Sequence, residues 1–214
     1  MFRPLTAMGA AVAFAASVFT PGAAAAVEDP PPGTVLVEVA VVSGTGCPAG
    51  SVAVAVAPDN TAFALSFAGV LAWAGAGSKP SDALKHCQVY LTIHPPQGYT
   101  YALRKAEYAG AVHLAKGASG EVTVSNYVQG GSPAPRKRTF VGPVSESWQL
   151  SDAPSPVVYA PCSASRPFSL SFALRVNAGT SDTSTTTSFL SLESADDGNA
   201  RLVHHLAWKR CPGA

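Results

Sequence analysis

The 214-residue chain carries 14 basic and 13 acidic residues, and 47% of its residues are hydrophobic. That hydrophobic share is sufficient for a folded core, which excludes an intrinsically disordered chain. A formal net charge of +1 provides no basic field for a phosphate backbone, so nucleic acid is excluded as a partner class. The 19 glycines and 18 prolines favour short strands joined by turns over a helical bundle.

Residues 1–26 have the features of a secretory signal peptide. Arg3 supplies the positive charge at the start, an uncharged apolar run extends from Leu5 to Phe19, and small residues precede Val27. The apolar run is about 15 residues long, shorter than the roughly 20 residues that span a bilayer, so we expect cleavage rather than anchoring. We therefore predict a secreted, extracellular protein that begins at Val27 and has no membrane anchor after signal cleavage.

The exported part divides into a short lead-in and one domain. Residues 27–33 (VEDPPPG) form a Pro-rich lead-in, because consecutive prolines stay extended and cannot pair centrally in a sheet. Residues 34–214 are predicted to form a single β-sandwich domain. The turn signal at Pro58–Asn60 separates two of its strands, because Asn tolerates the left-handed backbone region.

Alternation of apolar and polar residues predicts about eleven strands, and only Ser81–His86 could form a turn of helix. The clearest strand is Phe168–Val176, whose odd and even positions differ sharply in polarity. Such alternation indicates antiparallel sheets with one solvated face, so we predict a two-layer antiparallel β-sandwich with a β-barrel as the alternative. The remaining predicted segments are Thr34–Val42, Val52–Val56, Thr61–Phe67, Gln88–Ile93, Tyr99–Tyr108, Ala111–Leu114, Glu121–Val128, Arg138–Val141, Val157–Ala160, Thr185–Leu192 and Leu202–Trp208.

The four cysteines are predicted to form two disulfides, because an even, widely spaced set in an exported chain is typical of a disulfide framework. They are Cys47, Cys87, Cys162 and Cys211. No C-x-x-C pair occurs, which argues against zinc. Three pairings are possible, and we favour Cys47 with Cys87 and Cys162 with Cys211, since each pair then lies within one half of the chain and joins strand ends.

No catalytic, cofactor-binding or metal-binding residue is predicted. The five histidines include no pair at i and i+2, the spacing that would place two ligands on one strand face. The nucleophile motif G-x-S-x-G is absent, although a serine triad can also assemble from distant positions. Carboxylate pairs for glycoside cleavage remain open, since their separations are not visible in a sequence; the candidates are Glu107, Glu121, Glu146, Asp152 and Asp182.

Aromatic residues are the main candidates for ligand contact, because flat rings stack on sugar rings. Trp208 shares a strand face with Leu202 and Leu206 and is predicted to lie in the core. Trp148 has polar neighbours and is predicted as a surface ligand contact. The basic run Arg136–Arg138 is predicted to be an exposed hairpin loop.

Four segments resemble a known family: GTGCPAGSVAVAVAPDNTAFALSF from Gly44, HCQVYLTIHPPQGYTY from His86, RVNAGTSDTSTTTS from Arg175 and HLAWKRC from His205. In order and content they are similar to domain-of-unknown-function family 4360 (DUF4360), secreted proteins of actinomycetes and fungi. The resemblance covers about Pro31–Cys211 and implies export and a shared β fold, without a transferable activity. Where many members have an acidic residue and an aromatic, this chain has Ala68 and Val70, and where they have arginines it has Leu84 and Ala109.

These observations favour a non-catalytic binding or structural protein of the cell exterior, without cofactor, whose partner is an unknown extracellular protein or glycan. The alternative is a secreted hydrolase that acts on polysaccharide or peptide. A third hypothesis, a secreted inhibitor or toxin, rests on the segment from Gly130 to Arg138 as an exposed loop. A cleft with paired carboxylates or a serine triad would favour the enzyme, whereas an exposed aromatic patch would favour the binding protein.

Overall fold

The computed structural model describes residues 29–128, 132–162, 167–192 and 200–213. Within these ranges the regular structure consists of twelve β-strands, and no helix is present. Consequently no helix long and apolar enough to cross a membrane occurs in the described part. The predicted signal peptide lies outside the described residues, so its cleavage site stays a prediction.

The strands form two antiparallel sheets that pack face to face, which confirms the predicted β-sandwich rather than the barrel. The five-stranded sheet has the order β1-β5-β10-β7-β8, and the second sheet has the order β2-β3-β12-β6-β11-β4, with β9 also paired to β6. The bounds are β1 Leu36–Ser43, β2 Val52–Val56, β3 Ala62–Phe67, β4 Val70–Ala74, β5 Leu84–His94, β6 Tyr99–Leu114, β7 Ser119–Val128, β8 Arg136–Val141, β9 Val144–Asp152, β10 Phe168–Asn177, β11 Ser188–Leu192 and β12 Ala200–Arg210.

The core lies between the two sheets and is built from the apolar half of each alternating strand. In β10, Phe168, Leu170, Phe172 and Leu174 are at most 3% exposed, as the alternation of this strand predicts. Phe172 meets Phe67 of the opposite sheet edge to face, with ring centroids 5.2 Å apart. Aromatic contacts of this kind across the layers add to the burial of apolar area.

The sandwich is closed along one side by contacts between β8 and β9. Arg136 Nε donates to Asp152 Oδ1 at 2.9 Å, and Arg138 donates to the backbone oxygen of Gln149 at 2.8 Å. The prediction of a loop at Arg136–Arg138 is therefore wrong, because these residues are the first half of β8 and pair with β7. The exposure predicted for Arg136 and Lys137 is correct. The basic end of the segment proposed as an inhibitor loop therefore belongs to a strand. Gly130 and Gly131, at its other end, lie outside the described residues.

Several strand boundaries differ from the predicted ones. Two strands were not predicted, β4 and β9, and the two segments predicted within residues 99–114 form the single strand β6. The predicted strand Val157–Ala160 reduces to one bridge between Tyr159 and Ala102. The Ser81–His86 window is a turn that leads into β5 rather than a turn of helix.

The turn at Asn60 connects the lead-in to the core. Asn60 has the left-handed backbone predicted for this turn, with φ of 58°. Its buried amide Nδ2 donates to the backbone oxygens of Pro31 at 3.1 Å and Gly33 at 2.6 Å. The buried Trp208 indole donates to the Asn60 backbone oxygen at 2.8 Å, so one residue links the lead-in and the last strand.

Candidate functional site

The structure forms the two disulfides that the half-chain argument predicts, Cys47–Cys87 and Cys162–Cys211. Cys47 and Cys87 are 0% and 2% exposed, so this bridge belongs to the core. Gly44 allows the segment that carries Cys47 to lie close to β5. Its backbone has φ of 127°, and an added Cβ would lie 2.2 Å from the His86 oxygen. No free cysteine occurs among the described residues, so these thiols are committed to structure.

Trp148 is buried, and its predicted position at the surface is wrong. Its side chain is 1% exposed, lies beside Phe140 with ring centroids 6.4 Å apart, and donates from Nε1 to the Ala111 oxygen at 3.2 Å. The polar neighbours of Trp148 in sequence are exposed because they flank it on β9, where alternate residues point to opposite sides. The predicted core position of Trp208 is confirmed, at 1% exposure.

An aromatic row does occur at the surface, on the outer face of the second sheet. The register places Phe189 of β11 between Trp73 of β4 and His113 of β6, and His113 beside Ser145 of β9. Trp73 and Phe189 are half-buried and His113 is exposed. The His113 and Phe189 rings are stacked, with centroids 5.7 Å apart and an interplanar angle of 24°. We call Trp73, Phe189 and His113 the Trp73 face.

An open depression of about 640 Å³ adjoins this face and shares His113 with it. Its other walls come from three chain segments, and the groups able to hydrogen-bond a ligand include the side chains of Lys116, Ser145 and Thr187. Thr187 packs closely over Gly75, just beyond the end of Trp73's strand, where an added Cβ would lie 2.8 Å from Thr187 Oγ1. The aromatic row and the depression are therefore continuous parts of one surface.

The row was missed in the sequence because its members come from strands far apart in the chain. Trp73 belongs to a strand that was not predicted, and Phe189 and His113 become neighbours only through the pairing of β11 with β6. The available signal was the outward position of Phe189, which alternates with the buried residues Ser188 and Leu190.

The carboxylates considered for glycoside cleavage are bound by cations or by hydroxyl groups, and none of these contacts joins two carboxylates. Hydrogen bonds from Lys105 and His205 lower the pKa of Glu107, and hydrogen bonds from Ser184 and Thr185 lower that of Asp182. The other contacts are Glu121 with Lys137, Glu146 with Arg138 and Asp152 with Arg136.

The histidines likewise do not form a serine triad among the described residues. Their hydrogen-bonded side-chain partners are Thr45 for His86, Glu38 for His94, Asn126 for His204 and Glu107 for His205. No group of three His, Cys, Asp or Glu side chains in the described ranges is arranged to hold a metal ion.

A buried polar chain crosses the core, and it was not predicted. His204 is 0% exposed, and burial lowers its pKa from 6.5 to about 3. Neutral His204 donates from Nε2 to Asn126 Oδ1 at 3.0 Å, and the Asn126 amide donates to the Tyr108 hydroxyl. The bare His204 Nδ1 has no hydrogen-bond partner. The signal in the sequence was the spacing of two, which places His204 on the inward face that Leu202 and Leu206 share.

The family model for the domain of unknown function DUF4360 matches residues 33–211. The chain belongs to this family. A protein of Arthroderma benhamiae, described as an uncharacterized secreted protein, is 27% identical over 171 residues, which are 78% of this chain and 68% of that protein. Together with the two disulfides, this similarity supports the prediction that the DUF4360 protein is secreted.

Two solved structures are similar to this DUF4360 protein at low sequence identity. One is the carbohydrate-binding module TmCBM61 in complex with β-1,4-galactotriose, 15% identical over 80% of this chain and 88% of that chain, with a TM-score of 0.29. The other is the enzymatically active domain of bacteriophage CBA120 tailspike protein 4, 13% identical over 80% of this chain and 19% of that chain, with a TM-score of 0.25. At these scores neither neighbour carries an argument about function.

Three of the four positions at which the resemblance implies a departure from the family pattern lie in strands, and these strands belong to both sheets. Leu84 begins β5 in the five-stranded sheet, whereas Val70 begins β4 and Ala109 lies within β6 in the other sheet. Val70 is 2% exposed and is part of the core.

Proposed function

We propose that this secreted DUF4360 protein is a non-catalytic binding protein whose ligand is a polysaccharide, held by the Trp73 face. The observation that carries the proposal is the row of Trp73, Phe189 and His113 across three neighbouring strands. No reacting group is required for such a role, because the face offers ring surfaces and hydrogen-bonding groups alone.

The aromatic rings provide the stacking surface. A sugar ring presents axial C–H groups that pack favourably on an aromatic face, as other apolar groups do. Neighbouring strands lie about 4.8 Å apart, so the row extends roughly 10 Å from Trp73 to His113. This length matches a disaccharide unit of an extended polysaccharide. A row fixed on paired strands is also rigid before binding, which reduces the entropy lost on association.

The depression beside His113 provides the polar contacts. Sugar hydroxyls both donate and accept hydrogen bonds, and the Ser145 and Thr187 hydroxyls can do the same. The Lys116 ammonium donates only, and it forms no ion pair with a described residue. A saccharide on the Trp73 face would therefore extend into the depression, where its hydroxyl groups would form hydrogen bonds with these side chains.

The test is a binding assay with Trp73→Ala, using soluble cellulose derivatives, β-1,4-galactan, xylan and glycol chitin as probes. We expect the wild-type chain to bind at least one probe and the variant to bind it about tenfold more weakly, equivalent to about 1.4 kcal/mol. Affinity electrophoresis and titration calorimetry give the dissociation constants. Trp73→Phe keeps a ring and should retain most of the affinity.

Leu71→Ala is the matched control, because Leu71 is 42% exposed and lies two residues before Trp73 on the same strand but is not aromatic. We expect its affinity to equal that of the wild-type chain. Failure of the wild-type chain to bind any of these polysaccharides would refute the proposal, and so would equal losses in Trp73→Ala and Leu71→Ala.

A further inference from the structure

A second pair of exposed rings lies on the outer face of the five-stranded sheet. The register places Ser169 of β10 between Tyr90 of β5 and Tyr127 of β7. Tyr90 is 37% exposed and Tyr127 is half-buried, whereas the small Ser169 between them is 1% exposed. We call Tyr90, Ser169 and Tyr127 the Tyr90 face.

Fixed polar groups support the Tyr90 face. Gln88 Nε2 donates to Ser169 Oγ at 2.7 Å and to the Leu170 oxygen at 3.1 Å, which holds the amide in one orientation. The next row of the sheet runs Gln88, Ser171 and Ser125. Ser125 is 7% exposed and its hydroxyl has no hydrogen-bond partner. An unpaired hydroxyl of this kind costs free energy, so its presence in this row is an independent indication of a ligand.

The centre of the Tyr90 face is neutral. Neither of its two rows contains a charged side chain, and the nearest ion pairs, His94 with Glu38 and Lys137 with Glu121, lie at its margins. Ring surfaces about 10 Å apart, separated by small hydroxyl and amide side chains, match an uncharged saccharide better than an acidic one. A charged ligand would lose hydration here without gaining a partner of opposite charge.

The Tyr90 face and the Trp73 face point in opposite directions, because they are the outer faces of two sheets that pack about 10 Å apart. One ligand chain cannot contact both. We propose that the Tyr90 face is a second binding site for neutral saccharide and that the protein bridges two polysaccharide chains. The bridging rests on the proposed function of the Trp73 face, whereas binding at the Tyr90 face does not.

The first test counts sites by titration calorimetry with tetrasaccharides of cellulose, β-1,4-galactan, xylan and chitin. We expect two sites per wild-type chain for a tetrasaccharide that binds, one site in Tyr90→Ala, one in Trp73→Ala and none in the double variant. Ser171→Arg is a second variant for the Tyr90 face: it adds a long charged side chain at a half-exposed position of the adjoining row and removes no buried group. It should also leave one site.

The second test measures bridging by light scattering of a soluble polysaccharide that binds. We expect the wild-type chain to increase the particle size and each single-face variant to abolish the increase while still binding. Val141→Ala is the matched control, since Val141 is 77% exposed at the end of β8 in the same sheet and pairs with Ser119, outside both rows of the Tyr90 face. It should scatter as the wild-type chain does.

The outcomes separate the two proposals. Loss of all binding in Trp73→Ala, with Tyr90→Ala and Ser171→Arg unchanged, would overturn the second site and leave the first. A single wild-type site that Tyr90→Ala removes would support the Tyr90 face and overturn the proposed function of the Trp73 face. Absence of binding to every probe would overturn both.

Discussion

His204 is neutral in the folded protein and protonated in the unfolded chain at mildly acidic pH. The ring is stacked on Phe63 with centroids 4.9 Å apart, and Phe168 meets it edge to face. A charge there would have no counterion, and burial accordingly lowers the pKa to about 3, far below its ordinary 6.5. At pH values between these two, His204 therefore binds a proton in the unfolded state but not in the folded state.

We predict that this difference makes the protein less stable as pH falls below 6.5. Above 6.5 both states hold a neutral ring and His204 contributes no pH dependence. Between pH 6.5 and 4.5 only the unfolded state gains the proton, so the free energy of unfolding should fall by about 1.4 kcal/mol per pH unit. Urea unfolding at pH 7.0, 6.0, 5.0 and 4.5 measures the slope.

His204→Phe is the matched variant, because it keeps a ring against Phe63 and cannot titrate. It leaves Asn126 Oδ1 without its donor, which should cost about 1–3 kcal/mol at every pH. Its stability should nevertheless fall much less steeply than that of the wild-type chain between pH 6.5 and 5.0. Below that range Glu107 and Asp182, whose pKa values are lowered by hydrogen bonds, add the same loss to both proteins. Parallel pH profiles in the two proteins would assign the acid sensitivity to other groups.

At the scale of residues, the sequence predicted positions that local pattern determines and failed where partners are distant. Asn60 was placed correctly in its turn, since backbone preference is a local property. Trp148 was placed wrongly because its polar sequence neighbours say nothing about Phe140, the ring beside it. The inward position of His204 follows from alternation, but its partner Asn126 lies 78 positions away in sequence.

At the scale of elements, β4 and β9 were missed for opposite reasons. β4 is apolar on both sides, with Leu71 and Trp73 outward, so it shows no contrast between its faces. In β9 the inward side includes the charged residue Asp152, whose carboxylate accepts a hydrogen bond from Arg136 at the edge of the sandwich. Alternation in the sequence does not predict such a strand, because the charged residue on its buried face is paired with a residue of another strand.

β6 is continuous although the sequence predicted a break near Gly110. A glycine inside a strand commonly marks close approach of another group rather than a chain end. At Gly110 an added Cβ would lie 2.0 Å from the Ser191 oxygen and 2.5 Å from the Trp148 ring. The missing side chain allows the Trp148 indole to lie against the middle of the longest strand.

We predict that Gly110→Ala destabilises the protein by about 3 kcal/mol, because backbone and a buried indole must both move to admit the methyl group. Gly120→Ala is the control, since its Cβ would meet mainly the flexible Leu190 side chain, 2.7 Å away. We expect a loss for Gly120→Ala of about 1 kcal/mol. Chemical unfolding of both variants decides the matter, and equal losses would contradict the role assigned to Gly110.

At the scale of the whole molecule, the order of the strands in the two sheets could not be predicted from the sequence. The five-stranded sheet pairs β5 with β10, and the second sheet pairs β3 with β12, so most strands lie beside partners that are distant in the chain. Two pairs of chain neighbours, β2 with β3 and β7 with β8, do lie side by side. Alternation specifies which side of a strand is buried but not which strand lies beside it. The fold class was therefore predictable, whereas both surface faces, each assembled across three strands, were not.

The second disulfide should contribute much of the stability of the whole fold. Cys162–Cys211 closes a loop of 49 residues, for which restriction of the unfolded chain gives roughly 4 kcal/mol. We predict that Cys162→Ser and Cys211→Ser each lower the free energy of unfolding by about this amount and reduce secreted yield. Unfolding of purified variants and quantification in culture medium measure both effects. Wild-type stability in Cys162→Ser would contradict this role.

The same disulfide determines what one proteolytic cut does to the molecule. The exposed turn around Gly179–Thr185 lies inside the ring closed by Cys162 and Cys211. A protease that nicks this turn leaves two fragments covalently joined, which migrate as one band until a reductant is added. A cut at the exposed Ser132–Pro135 segment falls outside both rings. That cut divides the chain into two polypeptides, each retaining its own disulfide and linked to the other by packing alone.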